Sequence, residues 1–166
     1  MYSIFFAIII VFSNYLFRFQ INEWLTYGAL LFPISFLFTD ILSEKLGRKF
    51  AYNVVRNGIF ISIIPTFIIV DIRIAIGSII AYFVSQNLDI YIFDYIKKTK
   101  YNKWYIRNNV STFISQVVDS VLFFLISFAG ILPLFELIKL IVGAIIIKWI
   151  MALLDTPLFY YFGIKK

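Results

Sequence analysis

The sequence predicts an all-α integral membrane bundle of six transmembrane helices, and three observations predict it. Of 166 residues, 62% are hydrophobic and only 14% charged, with a mean hydropathy of +0.93, whereas about a quarter of a soluble domain's residues are charged. The apolar residues fall into six runs, roughly 2–17, 25–43, 51–70, 72–96, 107–129 and 135–162, near the ~20 residues that a helix needs to cross a bilayer. The breaks alternate in charge. Lys45, Arg48 and Lys49 follow the second run, Lys97, Lys98, Lys100, Lys103 and Arg107 follow the fourth, and the chain closes on Lys165-Lys166. The other breaks hold Arg18, Arg73 and Lys139, each with an acid nearby (Glu23, Asp71 and Glu136). By the positive-inside rule the basic breaks are cytoplasmic, which puts both termini in the cytoplasm and agrees with an even number of crossings.

Each run has its own justification. The run 2–17 lacks a basic n-region and an A-x-A cleavage site, and Asn14 interrupts it, so it reads as a retained span and not a signal peptide. The run 25–43 contains Pro33 and closes on Thr39-Asp40-Ile41-Leu42-Ser43-Glu44-Lys45-Leu46-Gly47-Arg48, with Gly47 as a C-cap and the basic residues as topology anchors. The run 51–70 contains Pro65, and Pro157 lies near the last exit; such breaks free backbone carbonyls that neighbours re-satisfy or that line a cavity. The runs 72–96 and 107–129 each carry Ser-Gln-x-x-Asp, as Ser85-Gln86-Asn87-Leu88-Asp89 and Ser115-Gln116-Val117-Val118-Asp119. The run 135–162 carries Lys148 and Asp155. Trp24, Trp104, Tyr105 and Tyr160-Tyr161 fall near span ends, where aromatic belts form.

The polar residues inside these runs need a reason, because an acid at the bilayer centre costs roughly 2.5–3.5 kcal/mol on insertion scales. Lys148 lies about thirteen residues into its span, roughly 20 Å along the axis. Asp155 follows it by two turns on the same face, about 10 Å away, too far for a direct pair within the helix. In each Ser-Gln-x-x-Asp the Gln and Asp share one helix face. Two such pairs facing each other would supply carboxylate acceptors and amide donors, the equipment to grip a hydrogen-bonding heterocycle. Asp40 and Glu44 are acids at a helix C-terminus, where the dipole disfavours them, so a partner such as Arg48, Arg56 or Arg107 is expected in a gating or salt-bridge network.

The ordered set of these residues resembles the queuosine precursor transporter family, also described as vitamin-uptake-transporter-like. The likeness rests on Ser13-Asn14; Pro33-Ile34-Ser35-Phe36 with Thr39-Asp40, Glu44 and Gly47-Arg48; Arg73, Ser85-Gln86 and Asp89. It continues through Trp104, Arg107-Asn108-Asn109, Ser111, Ser115-Gln116, Asp119, Phe128-Ala129-Gly130, Lys148, Asp155-Thr156-Pro157 and Tyr160. The departures are small: an amino terminus shorter than in many members, and Ser120 after Asp119 where Thr is expected. The resemblance implies uptake of a 7-deazaguanine, such as 7-cyano-7-deazaguanine or its aminomethyl relative, across the bacterial inner membrane for the queuosine base of tRNA. It also implies six helices resembling the substrate-binding components of energy-coupling-factor transporters. For such a substrate, Asp119 or Asp89 would read the N–H edge and Gln86 and Gln116 would complete it. Asn14 and Asn109 would add polar contacts, Lys148 would balance the carboxylate charge, and Asp155 would join the set.

Other functions fit less well. The absence of cysteine and histidine removes disulfides, thiolate catalysis and the commonest base and metal ligand, so neither an enzyme nor a metal or cofactor site is expected. The +6 charge and pI of 9.5 read as membrane orientation and not as nucleic-acid binding. A substrate-binding subunit for another vitamin or nucleobase, driven by a separate ATPase module, is the alternative; the third run offers only Ala51, Gly58 and Ser62 as small coupling residues. The expected partners are the lipid bilayer and a small-molecule substrate, with homo-oligomer formation left open. The whole of 1–166 reads as a single transmembrane domain.

Overall fold

Six helices run alternately up and down. The computed structural model describes residues 1–22, 25–100 and 102–165, so Glu23, Trp24 and Lys166, named above, lie outside the described residues. Helix α1 is Tyr2–Phe17, α2 Tyr27–Lys45, α3 Arg48–Ile69, α4 Ile72–Lys97, α5 Trp104–Phe128 and α6 Leu134–Phe159, which continues into a π-helical turn at Tyr160–Ile164. A short antiparallel pairing of β1 (Gln20–Asn22) with β2 (Leu25–Thr26) joins α1 to α2, a feature no apolar run announces. Five helices, α2 to α6, are long and apolar enough to cross a membrane. The expected first span is shorter: α1 has 16 residues, or about 24 Å at 1.5 Å per residue.

Local chemistry sets the ends. The Thr26 side chain caps α2 by accepting from the Ala29 N–H at 3.3 Å, and Asp71 caps α4 by accepting from the Arg73 N–H at 2.9 Å. Gly47, at φ +84°, supplies the left-handed residue between α2 and α3, which glycine adopts without a Cβ penalty. Helices α3 and α5 each begin three residues before the apolar runs do. Their first turns are charged yet helical because Arg48 and Arg107 find acids on neighbouring helices.

Helix α2 touches all five others and forms the centre, with α4 packed on α5, α5 on α6, and α1 on α3. Ala51, Gly58 and Ser62 of α3 are buried, with Gly58 directly under Ser3 and Phe6 of α1, so these small residues serve the interior. Tyr2 meets Phe38 at a tilt and Phe50 edge to face, and Phe17 meets Phe123, so α1 starts beside the α2–α3 turn and ends at the far side. The chain's first helix therefore begins, and its last helix ends, at the end that carries the basic α2–α3 and α4–α5 connections. That end is called the basic end below. The opposite end is closed by Phe17, Phe123, Phe124 and Phe128 with Leu137.

The α4–α5 register positions the polar core. Ser85 bonds Asp119, and eight residues along, Gly77 lies against Ser127 so closely that a side chain there would collide with it. One antiparallel register satisfies both contacts, and it puts Asp89 level with Ser115.

Candidate functional site

The buried polar residues form levels along the bundle. Furthest from the basic end, Asn14 of α1 donates to Thr66 of α3 at 3.5 Å and accepts from Ser78 of α4 at 2.8 Å. It is fully engaged in holding three helices together.

At the middle level, Lys148 Nζ lies 2.7 Å from Asp119 Oδ2, donates to Ser120 at 2.9 Å, and sits 4.7 Å from the centre of the Phe32 ring. Ser85 donates to the other Asp119 oxygen at 2.9 Å. Lys148 is only 4% exposed and Asp119 is fully buried, so the pair must be held together: removing one partner of a buried ion pair typically costs about 3–5 kcal/mol. Gln86 turns to α2, donating to Ser35 at 2.9 Å and accepting from Thr39 at 3.0 Å. The two Gln/Asp pairs therefore do not face each other as one grip.

Nearer the basic end the partners run out. Thr112 donates to Asp40 Oδ2 at 3.3 Å, and the Asp89 carboxyl group lies beside Asp40, Ser111 and Thr112. Neither Asp89 oxygen has hydrogen-bond geometry with any described group. Gln116 is buried with both amide atoms unpartnered, as are Ser115 Oγ, Asn108 Oδ1, Asp40 Oδ1 and Asp155 Oδ2. On α5, Thr112 faces Asp40 and Ser120 faces Lys148, so Gln116, one turn from each, points into the same interior. Asp155 belongs to this level, because Lys148 on Asp119 and Thr156 on Asn109 (2.9 Å) fix the α5–α6 register. Asn109 itself is spent on Thr156 and the Tyr105 carbonyl. Buried polar atoms are almost always paired, so this group of orphans makes the region the candidate site; two further orphans, the hydroxyls of Ser13 and Tyr82, lie beside each other further from the basic end.

The basic end is tied by ions. Arg107 grips Glu44 with two nitrogens at 2.9 and 3.0 Å, Lys97 reaches the same carboxylate at 3.1 Å, and Arg107 also bonds Asn102. Arg48 goes instead to Asp94 at 3.4 Å and to Tyr52 at 3.2 Å, and Arg56 to Asn53. Of the two acids at the end of α2, Glu44 thus has cations, while Asp40 has no basic partner among the described residues. A cleft of about 570 Å³ opens outside this knot, lined by Glu44, Asn102, Trp104, Arg107 and the π-helical turn. Asn108, Ser111 and Thr112 line this region although the polar-pattern argument did not single them out. The signal was present on α5, where polar residues recur every three or four positions from Asn108 to Ser120.

A family model described as "putative vitamin uptake transporter" matches residues 26–72 and 70–162. The "probable queuosine precursor transporter" of Bacillus subtilis (strain 168) is 26% identical over 85% of this chain and 72% of its own length. The "queuosine precursor transporter" of Escherichia coli (strain K12) is 28% identical over 76% of this chain and 66% of its own length. A Haemophilus influenzae relative with the same "probable" title is 28% identical over 62% of this chain and 52% of its own length. The chain thus spans between about half and three quarters of the relatives it matches. All three are named as transporters and none as an enzyme. No solved structure matches the chain.

Proposed function

The chain belongs to the "putative vitamin uptake transporter" family, and on that premise we propose that it imports a queuosine precursor, 7-cyano-7-deazaguanine or its aminomethyl relative, across the bacterial inner membrane. The observation that carries this reading is the similarity to three relatives named for queuosine precursor transport, over most of the chain in two of them. The polar interior supports it. A 7-deazaguanine offers several N–H donors and one carbonyl on a flat ring, and the orphan atoms around Asp89 and Gln116 are chiefly acceptors. Of the two acids expected to read the N–H edge, Asp119 has both oxygens occupied, which leaves Asp89, with Asp40 beside it. Lys148 neutralises Asp119, and Gln86 and Asn14 brace the helices around the site.

In this reading all six helices cross the membrane, the basic end faces the cytoplasm, and the architecture is that of an energy-coupling-factor substrate-binding component. The Glu44–Arg107–Lys97 knot is the cytoplasmic gate, and the phenylalanine cluster at the opposite end is the outer seal. A small-molecule importer needs both closures to act alternately.

The test is restoration of queuosine in tRNA by this gene, at nanomolar external 7-cyano-7-deazaguanine or 7-aminomethyl-7-deazaguanine, in a bacterium lacking precursor synthesis and its own importer. Restoration that is lost in Asp89→Asn protein still present in the membrane supports the reading. No restoration by either base, with the wild-type protein verified in the membrane, overturns it.

A further inference from the structure

The unpartnered atoms around Asp89 are unequal in kind. Both Asp89 oxygens, Asp40 Oδ1, Asn108 Oδ1, Gln116 Oε1 and Asp155 Oδ2 can only accept while the acids are ionised. Against them stand one amide donor, Gln116 Nε2, and the hydroxyls of Ser43 and Ser115. The charge is equally one-sided. Lys148 is held by Asp119 and both Arg107 and Lys97 by Glu44, so among the described residues Asp40 and Asp89 adjoin each other without a cation of their own. Gln116, fully buried with neither amide atom paired, is the independent sign that a ligand completes this region.

We propose that this site selects a cationic ligand: the Asp40–Asp89 carboxyl pair binds the ammonium of 7-aminomethyl-7-deazaguanine, while the Gln116 amide pairs with the C6 carbonyl and N1–H of the ring. The inference rests on the transport reading above and deepens it. The two candidate bases differ at C7 alone. A primary alkylamine is protonated at neutral pH and brings three donors and a positive charge, whereas a nitrile brings one acceptor and none. A nitrile among bare acceptors leaves them unsatisfied; an ammonium satisfies up to three and brings a cation to two carboxyl groups that have none of their own. The geometry of the base agrees, because the C7 substituent and the C6 carbonyl lie on the same edge. Asp89 is level with Ser115, the residue next to Gln116, so both contacts fall at one level of the bundle.

The experiment is direct titration of the purified protein in lipid nanodiscs with three bases: 7-aminomethyl-, 7-cyano- and 7-hydroxymethyl-7-deazaguanine. The hydroxymethyl base matches the aminomethyl base in size but is neutral. The expected result is that the aminomethyl base binds at least about tenfold, or about 1.4 kcal/mol, more tightly than either neutral base. That ratio falls towards one in Asp89→Asn and in Asp40→Asn. Equal binding of the aminomethyl and hydroxymethyl bases, tighter binding of the cyano base, or a ratio unchanged in both variants would overturn the proposal and leave queuosine precursor transport standing. Failure of all three bases to bind would overturn both. If neither variant yields folded protein, the wild-type ratio decides alone.

Discussion

Asp119 and Asp89 hold the same place in the same Ser-Gln-x-x-Asp pattern on two antiparallel helices, and among the described residues only Asp119 has a cation. Ser85 of one pattern bonds Asp119 of the other, and the same register sets Ser115 level with Asp89, yet that second pair carries no hydrogen bond. The difference is imposed by the third helix at each position. Lys148 on α6 completes the Asp119 side, whereas α2 brings Asp40, another acid, to the Asp89 side. An almost symmetric helix pair thus becomes one finished polar centre beside one unfinished centre.

The two acids should therefore respond oppositely to neutralisation. Asp119→Asn leaves Lys148 buried without a counter-charge and should destabilise the protein by about 3–5 kcal/mol. Asp89→Asn removes a buried carboxyl group that adjoins another acid and no cation, and should leave the melting temperature unchanged or raised while weakening substrate binding. Thermal unfolding of both purified variants, beside binding of the aminomethyl base, checks this. A fall in stability for Asp89→Asn as large as that for Asp119→Asn would show that Asp89 has a structural partner.

The ion pair makes a second, independent expectation. Lys148→Met alone should destabilise the protein because Asp119 loses its cation, and Asp119→Leu added to it should recover most of that loss, since a buried pair replaced by apolar groups of similar volume is often neutral or stabilising. A double-mutant cycle on unfolding free energy measures the coupling, and it should exceed about 1 kcal/mol. An additive cycle would mean that the two groups do not interact in the protein.

The six helices, their turns and the polar interior were legible in the sequence because hydropathy and charge mark them directly, although α1 is shorter than the span expected there. The faces were not. In a helix surrounded by lipid and protein, apolar residues occupy most sides, so periodicity does not say which neighbour a polar residue meets. Gln86 and Gln116 are indistinguishable as sequence, yet one is spent on Ser35 and Thr39 and the other is bare. The same limit applied to Asp40 and Glu44, which read as one acidic pair seeking arginine: four residues keep them on nearly one face but set them about 6 Å apart along the axis, enough to put Glu44 against Arg107 and Asp40 against Thr112. The short β pairing was invisible because so few residues carry no alternation to read.

The two glutamines offer a contrast that tests this division. Gln86→Leu forfeits two neutral hydrogen bonds and should cost about 1–2 kcal/mol of stability. Gln116→Leu forfeits none and should be neutral or stabilising, while reducing uptake of the labelled base more than Gln86→Leu does. Measuring stability and uptake for both, normalised to protein in the membrane, separates them. Equal losses of stability would place a partner on Gln116 and remove it from the site.

The gate and the orientation can be tested together because the chain has no cysteine. Ser111→Cys introduces one thiol at a fully buried position beside Asp89, behind the Glu44–Arg107–Lys97 knot. In that background, Glu44→Gln removes the negative charge that holds both cations, so the basic end should open more often. A membrane-impermeant thiol reagent applied to inside-out vesicles should then label the cysteine several-fold faster than it does with Glu44 present. Right-side-out vesicles should show little change, since the opposite end is closed by phenylalanines that Glu44 does not touch. Acceleration confined to right-side-out vesicles would reverse the orientation drawn from the basic connections, and no acceleration in either would mean that the ion knot does not gate access to Asp89.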